Sequence, residues 1–155
     1  MKKKIILAFL VATILLTFSA CGGGATEEAS RFHPLHVELS ADADFMLGTV
    51  AFLITTNLPD NTTLLLSLRG DDGSTRQTHV TVRSGLAMSE TFGSFDSPLQ
   101  GSYILSVNTG LPSSQDDSVT DIIGLHGEAL IGELVEVSIG GYSNVVSANF
   151  DIYFE

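Results

Sequence analysis

Thr49-Val50-Ala51-Phe52-Leu53-Ile54-Thr55-Thr56-Asn57-Leu58-Pro59-Asp60-Asn61-Thr62-Thr63-Leu64-Leu65-Leu66-Ser67-Leu68 decides the fold class. Its first eight residues place Val50, Phe52 and Ile54 on one face at a spacing of two, the mark of a half-buried strand. Asn57 to Asn61 is a turn, with Pro59 fixing φ and Asp60 and Asn61 suited to local hydrogen bonds. Leu64, Leu66 and Leu68 then form a second inward row. Two strands and a turn in twenty residues predict an antiparallel β protein.

The same rhythm extends outward. Upstream, Leu35, Val37 and Leu39 share one face of a strand. Downstream, Gly70-Asp71-Asp72-Gly73 is a turn, and Val80 and Val82 lead into a short connection at Arg83-Ser84-Gly85. The chain is expected to return through Leu86 to Phe92, completing an antiparallel meander. Ser94 to Gly101 is a polar linker around Pro98. Tyr103, Leu105 and Val107 alternate until Asn108-Thr109-Gly110 ends their strand. Ser118 to Gly132 breaks the pattern: Val119, Ile122, Ile123, Leu125, Leu130 and Ile131 are spaced closer to helical. A short helical turn packed across an open end is predicted there. Val135, Val137 and Ile139 predict a further strand, Gly140-Gly141 a turn, and Val146, Ala148, Phe150, Ile152 and Phe154 a long final strand. Seven or eight strands in about 120 residues suit one domain, residues 34–155. The spacing predicts an all-β, immunoglobulin- or fibronectin III-like antiparallel β-sandwich, with a small barrel as the alternative. The Cys–Trp–Cys core of antibody domains is absent, so the likeness is architectural.

The N-terminus reads differently. Lys2-Lys3-Lys4 precedes an apolar run from Ile5 to Phe18, broken only by Thr13 and Thr17, and then the small residues Ser19 and Ala20. This is the layout of a secretion signal, predicted as a signal helix over residues 1–20. The run is shorter than the roughly 20 residues of a membrane-spanning helix, and the lysines favour the cytoplasmic side. Phe18-Ser19-Ala20-Cys21 resembles the lipobox of bacterial lipoproteins, with Phe18 standing where leucine is usual. The resemblance implies cleavage between Ala20 and Cys21, and a diacylglyceryl group on the Cys21 sulfur. Cys21 is the one cysteine of the chain, so it forms no intrachain disulfide. Two acyl chains suffice for stable anchoring. Residues 21–33 are expected to be the lipidated cysteine and a flexible tether that begins with Gly22-Gly23-Gly24. The expected location is the cell membrane, lipid-anchored on its extracytoplasmic face.

Three motifs of the domain, residues 55–62, 101–107 and 123–132, resemble patterns in small exported lipoproteins of Firmicutes. The resemblance implies fold and location and is silent on activity.

All three lysines lie before Cys21. The remaining chain sets Arg31, Arg69, Arg76 and Arg83 against 18 carboxylates, a formal charge of −14. Such a surface repels phosphate backbones, so nucleic acid is not an expected partner. The membrane lipid is the expected attachment, with an envelope protein or surface ligand as possible partner.

The chemistry-bearing residues are sparse. His33 and His36 share a junction with no second ligand pair, His79 falls on an outward strand position, and His126 precedes Glu128 in the irregular stretch. Zinc sites need more ligands at regular spacing, so surface histidines are expected and no metal site is assigned. A His126–Glu128 proton shuttle would need a shaped pocket. Asp42 with Asp44, Asp71 with Asp72, and Asp116 with Asp117 would offer calcium oxygen ligands at loops, but none follows the EF-hand ladder and turn chemistry is the ordinary role. Asn61-Thr62-Thr63 fits a glycosylation sequon, which would carry no meaning in a bacterium, the source that the lipobox resemblance implies. Phe92-Gly93-Ser94-Phe95 is expected to close the core edge. Gly-x-Ser-x-Gly, Walker and dinucleotide motifs are absent. The sequence therefore predicts no enzyme and no cofactor, but a binding or accessory module. The alternative is a small-ligand or cation-binding lipoprotein serving a transporter, which would need a concave pocket with convergent polar groups.

Overall fold

A computed structural model describes residues 32–94 and 96–154. The signal, Cys21 and most of the tether lie outside these residues. The described chain is mostly β-strand, arranged as a two-sheet, sandwich-like fold. The first sheet holds β2 (Leu39–Met46), β3 (Thr49–Thr56) and β6 (Leu86–Met88), in the order β2-β3-β6. The second holds β4 (Thr63–Gly70), β5 (Thr75–Thr81), β7 (Gly101–Asn108), β9 (Val135–Val137) and β10 (Asn144–Phe154), in the order β5-β4-β7-β10-β9. A two-residue strand β1 (Leu35–His36) pairs in parallel with β8 (Leu130–Ile131); every other strand pair is antiparallel. Three strands facing β5-β4-β7-β10, with no closure between the sheets, is the fibronectin III-like order and not a barrel.

The core forms where the predicted rows meet. Val50, Phe52 and Ile54 from β3 face Leu64, Leu66 and Leu68 from β4 and Leu105 and Val107 from β7, all buried in one cluster. Val146 and Phe154 extend that cluster along β10. Phe52 and Phe92 meet edge-on with centroids 5.6 Å apart. Burial of such side chains drives the packing.

Four expectations change. The first is the meander. Val80 and Val82 are buried as expected, but β6 does not return alongside β5. The turn at Ser84 and Gly85, both at positive φ, hands the chain to the other sheet, where Leu53, Ile54 and Thr55 pair with Met88, Ala87 and Leu86. Ser89 continues this pairing: its hydroxyl accepts the buried Phe52 N–H at 2.8 Å, and its own N–H donates to Phe52 O at 2.9 Å. Phe92 then resumes backbone pairing with Val50. Second, the strand read over residues 35–39 breaks at Val37, and β2 carries on to Met46. Its inward row is Leu39, Ala41 and Ala43, too small to announce a strand. Third, β9 stops at Val137. Val137 is exposed, and Ile139 lies in the turn that follows, outside the core. Fourth, Asp42 and Asp44 sit on the solvent face of β2 rather than in a loop.

The helical turn is where the spacing predicts it. Helix α1 (Asp117–Ile123) follows a 3-10 turn at Pro112–Ser114 and buries Val119 and Ile123. Asp116 caps it, accepting from the Ser118 N–H at 2.9 Å. Gly124, at φ 88°, ends it. The helix lies at the end of the sandwich that carries the β3–β4 turn, where Asn61 Nδ2 donates to Ser118 Oγ at 3.1 Å.

Candidate functional site

At the opposite end from α1, β2 and β3 are joined by Leu47-Gly48, both at positive φ, 47° and 79°. This is the two-residue turn whose twist suits a hairpin, and it usually carries Asn-Gly or Asp-Gly. Glycine at position 48 is required: a Cβ there would collide with the Pro98 ring. Leucine at position 47 is not. A branched side chain in the left-handed region is strained, and Leu47 is also 80% exposed. Two independent penalties, one of backbone and one of solvation, fall on one residue.

Leu47 is not alone. Phe45 and Met46 precede it, and Tyr153 of β10 lies beside them; all are more than half exposed. Together with Gly48, Thr49, Leu99 and Phe154 they line an open cleft of about 420 Å³. Thr49 and the Tyr153 hydroxyl are the polar side-chain groups of that lining. The floor is aromatic: Phe154 takes Phe45 and Tyr103 edge-on, with centroids 5.3 and 5.2 Å away. Leu99 is pinned by its N–H donating to Gly48 O at 2.9 Å. An apolar rim on an aromatic floor is a surface from which water would be excluded if another apolar surface covered it. It positions no group for proton transfer.

The residues that the sequence marked are scattered. His33, His36, His79 and His126 are all exposed. Glu128 accepts from the His126 backbone N–H at 2.9 Å, while the imidazole Nδ1 stands 3.5 Å from Ser143 Oγ. The His126–Glu128 pair is therefore loop scaffolding. Asp72 Oδ1 accepts the Ser74 N–H at 2.8 Å, a turn bond. Hydrogen bonds from Ser74, first its side chain and then its backbone, hold the Asp72 carboxyl below its ordinary pKa. Ser118 does the same for Asp116, through its hydroxyl first and its N–H second. Among the described residues no three His, Cys, Asp or Glu side chains gather to hold a metal ion. Among them, too, no helix is long and apolar enough to cross a membrane. Phe92 closes the core edge as expected; Phe95, Ala20 and Cys21 lie outside the described residues.

Sequence reasoning missed Phe45, Met46, Leu47 and Tyr153. The signal was present in the pairing arithmetic. Extending the Val50, Phe52, Ile54 row backward through a hairpin puts Leu47-Gly48 at its tip.

No protein family matches the chain, and neither the curated proteins nor the solved structures include a match.

Proposed function

We propose that the protein is a lipid-anchored lipoprotein on the extracytoplasmic face of the cell membrane, acting as a non-catalytic binding module of the cell envelope. The anchor is the diacylglyceryl group on Cys21, added after cleavage behind Ala20. Lys2-Lys3-Lys4, the apolar run and the lone cysteine support this part of the reading. The binding surface is the Phe45-Met46-Leu47 tip with Tyr153. The observation that carries it is Leu47, held at positive φ and exposed where asparagine would cost less. Strain kept at an exposed position points to use rather than to folding.

The partner that fits is an envelope protein with an apolar groove rimmed by lysine or arginine. Asp44 adjoins the tip in sequence, and Asp96 stands two residues before the Pro98 that backs Gly48. The rest of the surface is acidic as well, so a basic rim would speed encounter and set register. The same charge works against nucleic acid. The competing role, a small-ligand or cation-binding lipoprotein serving a transporter, is less well supported, because the cleft is open and its polar groups do not converge.

Two measurements test the reading. Intact mass and membrane fractionation of the native protein, beside Cys21→Ala, address the anchor. The wild type is expected to begin at Cys21, carry the diacylglyceryl mass and pellet with membranes, and the variant to do none of these. A photo-crosslinking residue at position 47, in cells, addresses the tip. It should give a discrete protein adduct that the same residue at Thr75, on the outer face of the other sheet, does not give. Equal labelling from both positions would remove the tip from the binding surface.

A further inference from the structure

A second set of exposed apolar side chains sits at the α1 end of the sandwich, on the hairpin between β9 and β10. Ser138 N–H donates to Ser143 O at 2.7 Å, and Gly141 N–H donates to Ser138 O at 2.9 Å, so the turn is tight. It projects Ile139, fully exposed, and Tyr142, 85% exposed. Leu125, also exposed, stands close to the hairpin base, because Asn144 N–H donates to His126 O at 2.8 Å. From Val137 to Phe150 the chain carries no charged residue, in a protein with 18 carboxylates. The hairpin is thus apolar, uncharged and bare on an otherwise acidic molecule.

The chain enters the domain at this same end. The Phe32 ring lies 3.1 Å from where a Cβ on Gly124 would stand, and Leu35 N–H donates to Ala129 O at 2.8 Å. Residues 22–31 separate Cys21 from Phe32, a stretch that reaches at most about 35 Å when fully extended. A lipid on Cys21 therefore attaches the domain to the bilayer from this end.

We propose that the β9–β10 hairpin rests in the interface of the membrane that holds the Cys21 lipid, with Ile139 among the upper acyl carbons and the Tyr142 ring at headgroup level. The inference rests on the lipid-anchor reading and adds an orientation to it. Tyrosine suits that depth, since its ring is apolar and its hydroxyl stays hydrated. The contact need not be strong. A short tether supplies an effective concentration of the order of 1 mM or more, so a hairpin with roughly millimolar intrinsic affinity is engaged about half the time. Asp121, Glu128, Glu133 and Glu136 are exposed near this end and oppose anionic headgroups. Engagement is therefore strongest on zwitterionic membranes and weakens as anionic lipid is added at low salt. Seated this way, the domain points the Phe45–Leu47 tip away from the bilayer.

The chain has no tryptophan, so one substitution gives a unique reporter. Lipidated mature protein carrying Tyr142→Trp is placed on phosphatidylcholine vesicles containing a shallow-depth quencher lipid, beside Tyr153→Trp at the far end. The expected result is a blue-shifted emission from the Tyr142→Trp protein, quenched at least about twofold more than that of the Tyr153→Trp protein. Adding Ile139→Ser should reverse most of that quenching without changing stability, since the side chain is fully exposed. Vesicle-bound Tyr142→Trp protein quenched no more than its Tyr153→Trp counterpart overturns the inference and leaves the anchor standing. A blue shift that appears without vesicles and grows with protein concentration assigns the hairpin to a second copy and overturns it too. Protein that carries no lipid mass and does not float with vesicles sinks the anchor reading, and this inference with it.

Discussion

At the α1 end, the sandwich is closed by side-chain amides reaching across to backbone groups; at the far end, it is closed by aromatic rings packed edge to edge. Gln115 shows the first mode. Its Oε1 accepts Thr63 N–H at 2.8 Å, its Nε2 donates to Thr63 O at 3.0 Å, and the same nitrogen bonds Thr109 O. Asn57 does likewise, taking Glu38 N–H at 2.9 Å and giving to His36 O at 2.6 Å. Phe45, Tyr103 and Phe154 show the second mode, with no side-chain hydrogen bond among the three rings. Amide latches hold loops in one geometry and leave few polar groups unsatisfied. Rings on a floor leave an apolar face that another surface can continue. The first end holds the incoming chain, and the second carries the apolar face of the proposed binding surface.

Breaking each closure separately should give different magnitudes. Phe154→Ala removes a buried ring and the floor beneath the tip, and should cost about 3–5 kcal/mol. Denaturant unfolding followed by far-UV circular dichroism reads that loss. Gln115→Ala deletes less volume but strands Thr63 N–H and two carbonyls, and should cost about 1–3 kcal/mol. Should the glutamine variant prove neutral, the latch account of the α1 end is wrong and helix packing alone closes it. Should Phe154→Ala cost less than Gln115→Ala, the aromatic floor is ornamental.

The rows at Val50–Ile54, Leu64–Leu68 and Leu105–Val107 were legible because burial on one face of a strand imposes period two directly on the sequence. The helical turn was legible because Val119 and Ile123 must share a face. What was not legible is where distant backbone groups find their partners. Nothing local to Ser89 shows that its hydroxyl takes the Phe52 N–H, yet that bond belongs to the pairing that holds β6 in the first sheet in place of the expected meander. β2 was hidden because Ala41 and Ala43 pack without standing out and Asp42 and Asp44 looked like loop residues. The tip was hidden for a related reason. Phe45-Met46-Leu47 reads as core until the turn geometry turns it outward. Ile139 misled in the opposite sense, continuing a period that the chain abandons at Val137.

A subtler substitution separates folding from use at the tip. Leu47→Asn puts the residue favoured at this turn position into a backbone already shaped for it. The variant should be about 0.5–1 kcal/mol more stable than the wild type, by relief of left-handed strain. The same variant should form less of the partner complex, read as the loss of a crosslinked band from a reporter placed at Met46. A gain in stability with undiminished crosslinking would mean that Leu47 is tolerated rather than used. A loss of stability would mean that its side chain packs more than its exposure implies.

The smallest expected effect lies back at the α1 end, in the acid limb of stability. The Asp116 carboxylate is held below its ordinary pKa by the Ser118 hydroxyl and N–H. A group whose folded-state pKa is depressed contributes stability above its unfolded value, near 3.9, and loses it as pH falls through the lower folded value. Asp116→Asn keeps a cap for the helix but cannot titrate. Its stability should match the wild type at low pH and fall slightly short of it at neutral pH, with a shallower slope between. Asp116→Ala should lose the cap at every pH and show the same shallow slope. Thermal unfolding from pH 2.5 to pH 6 distinguishes the three proteins. A wild-type slope retained in Asp116→Asn would move the acid sensitivity elsewhere, with Asp72 at the far end of the molecule as the next carboxylate held down by its own serine.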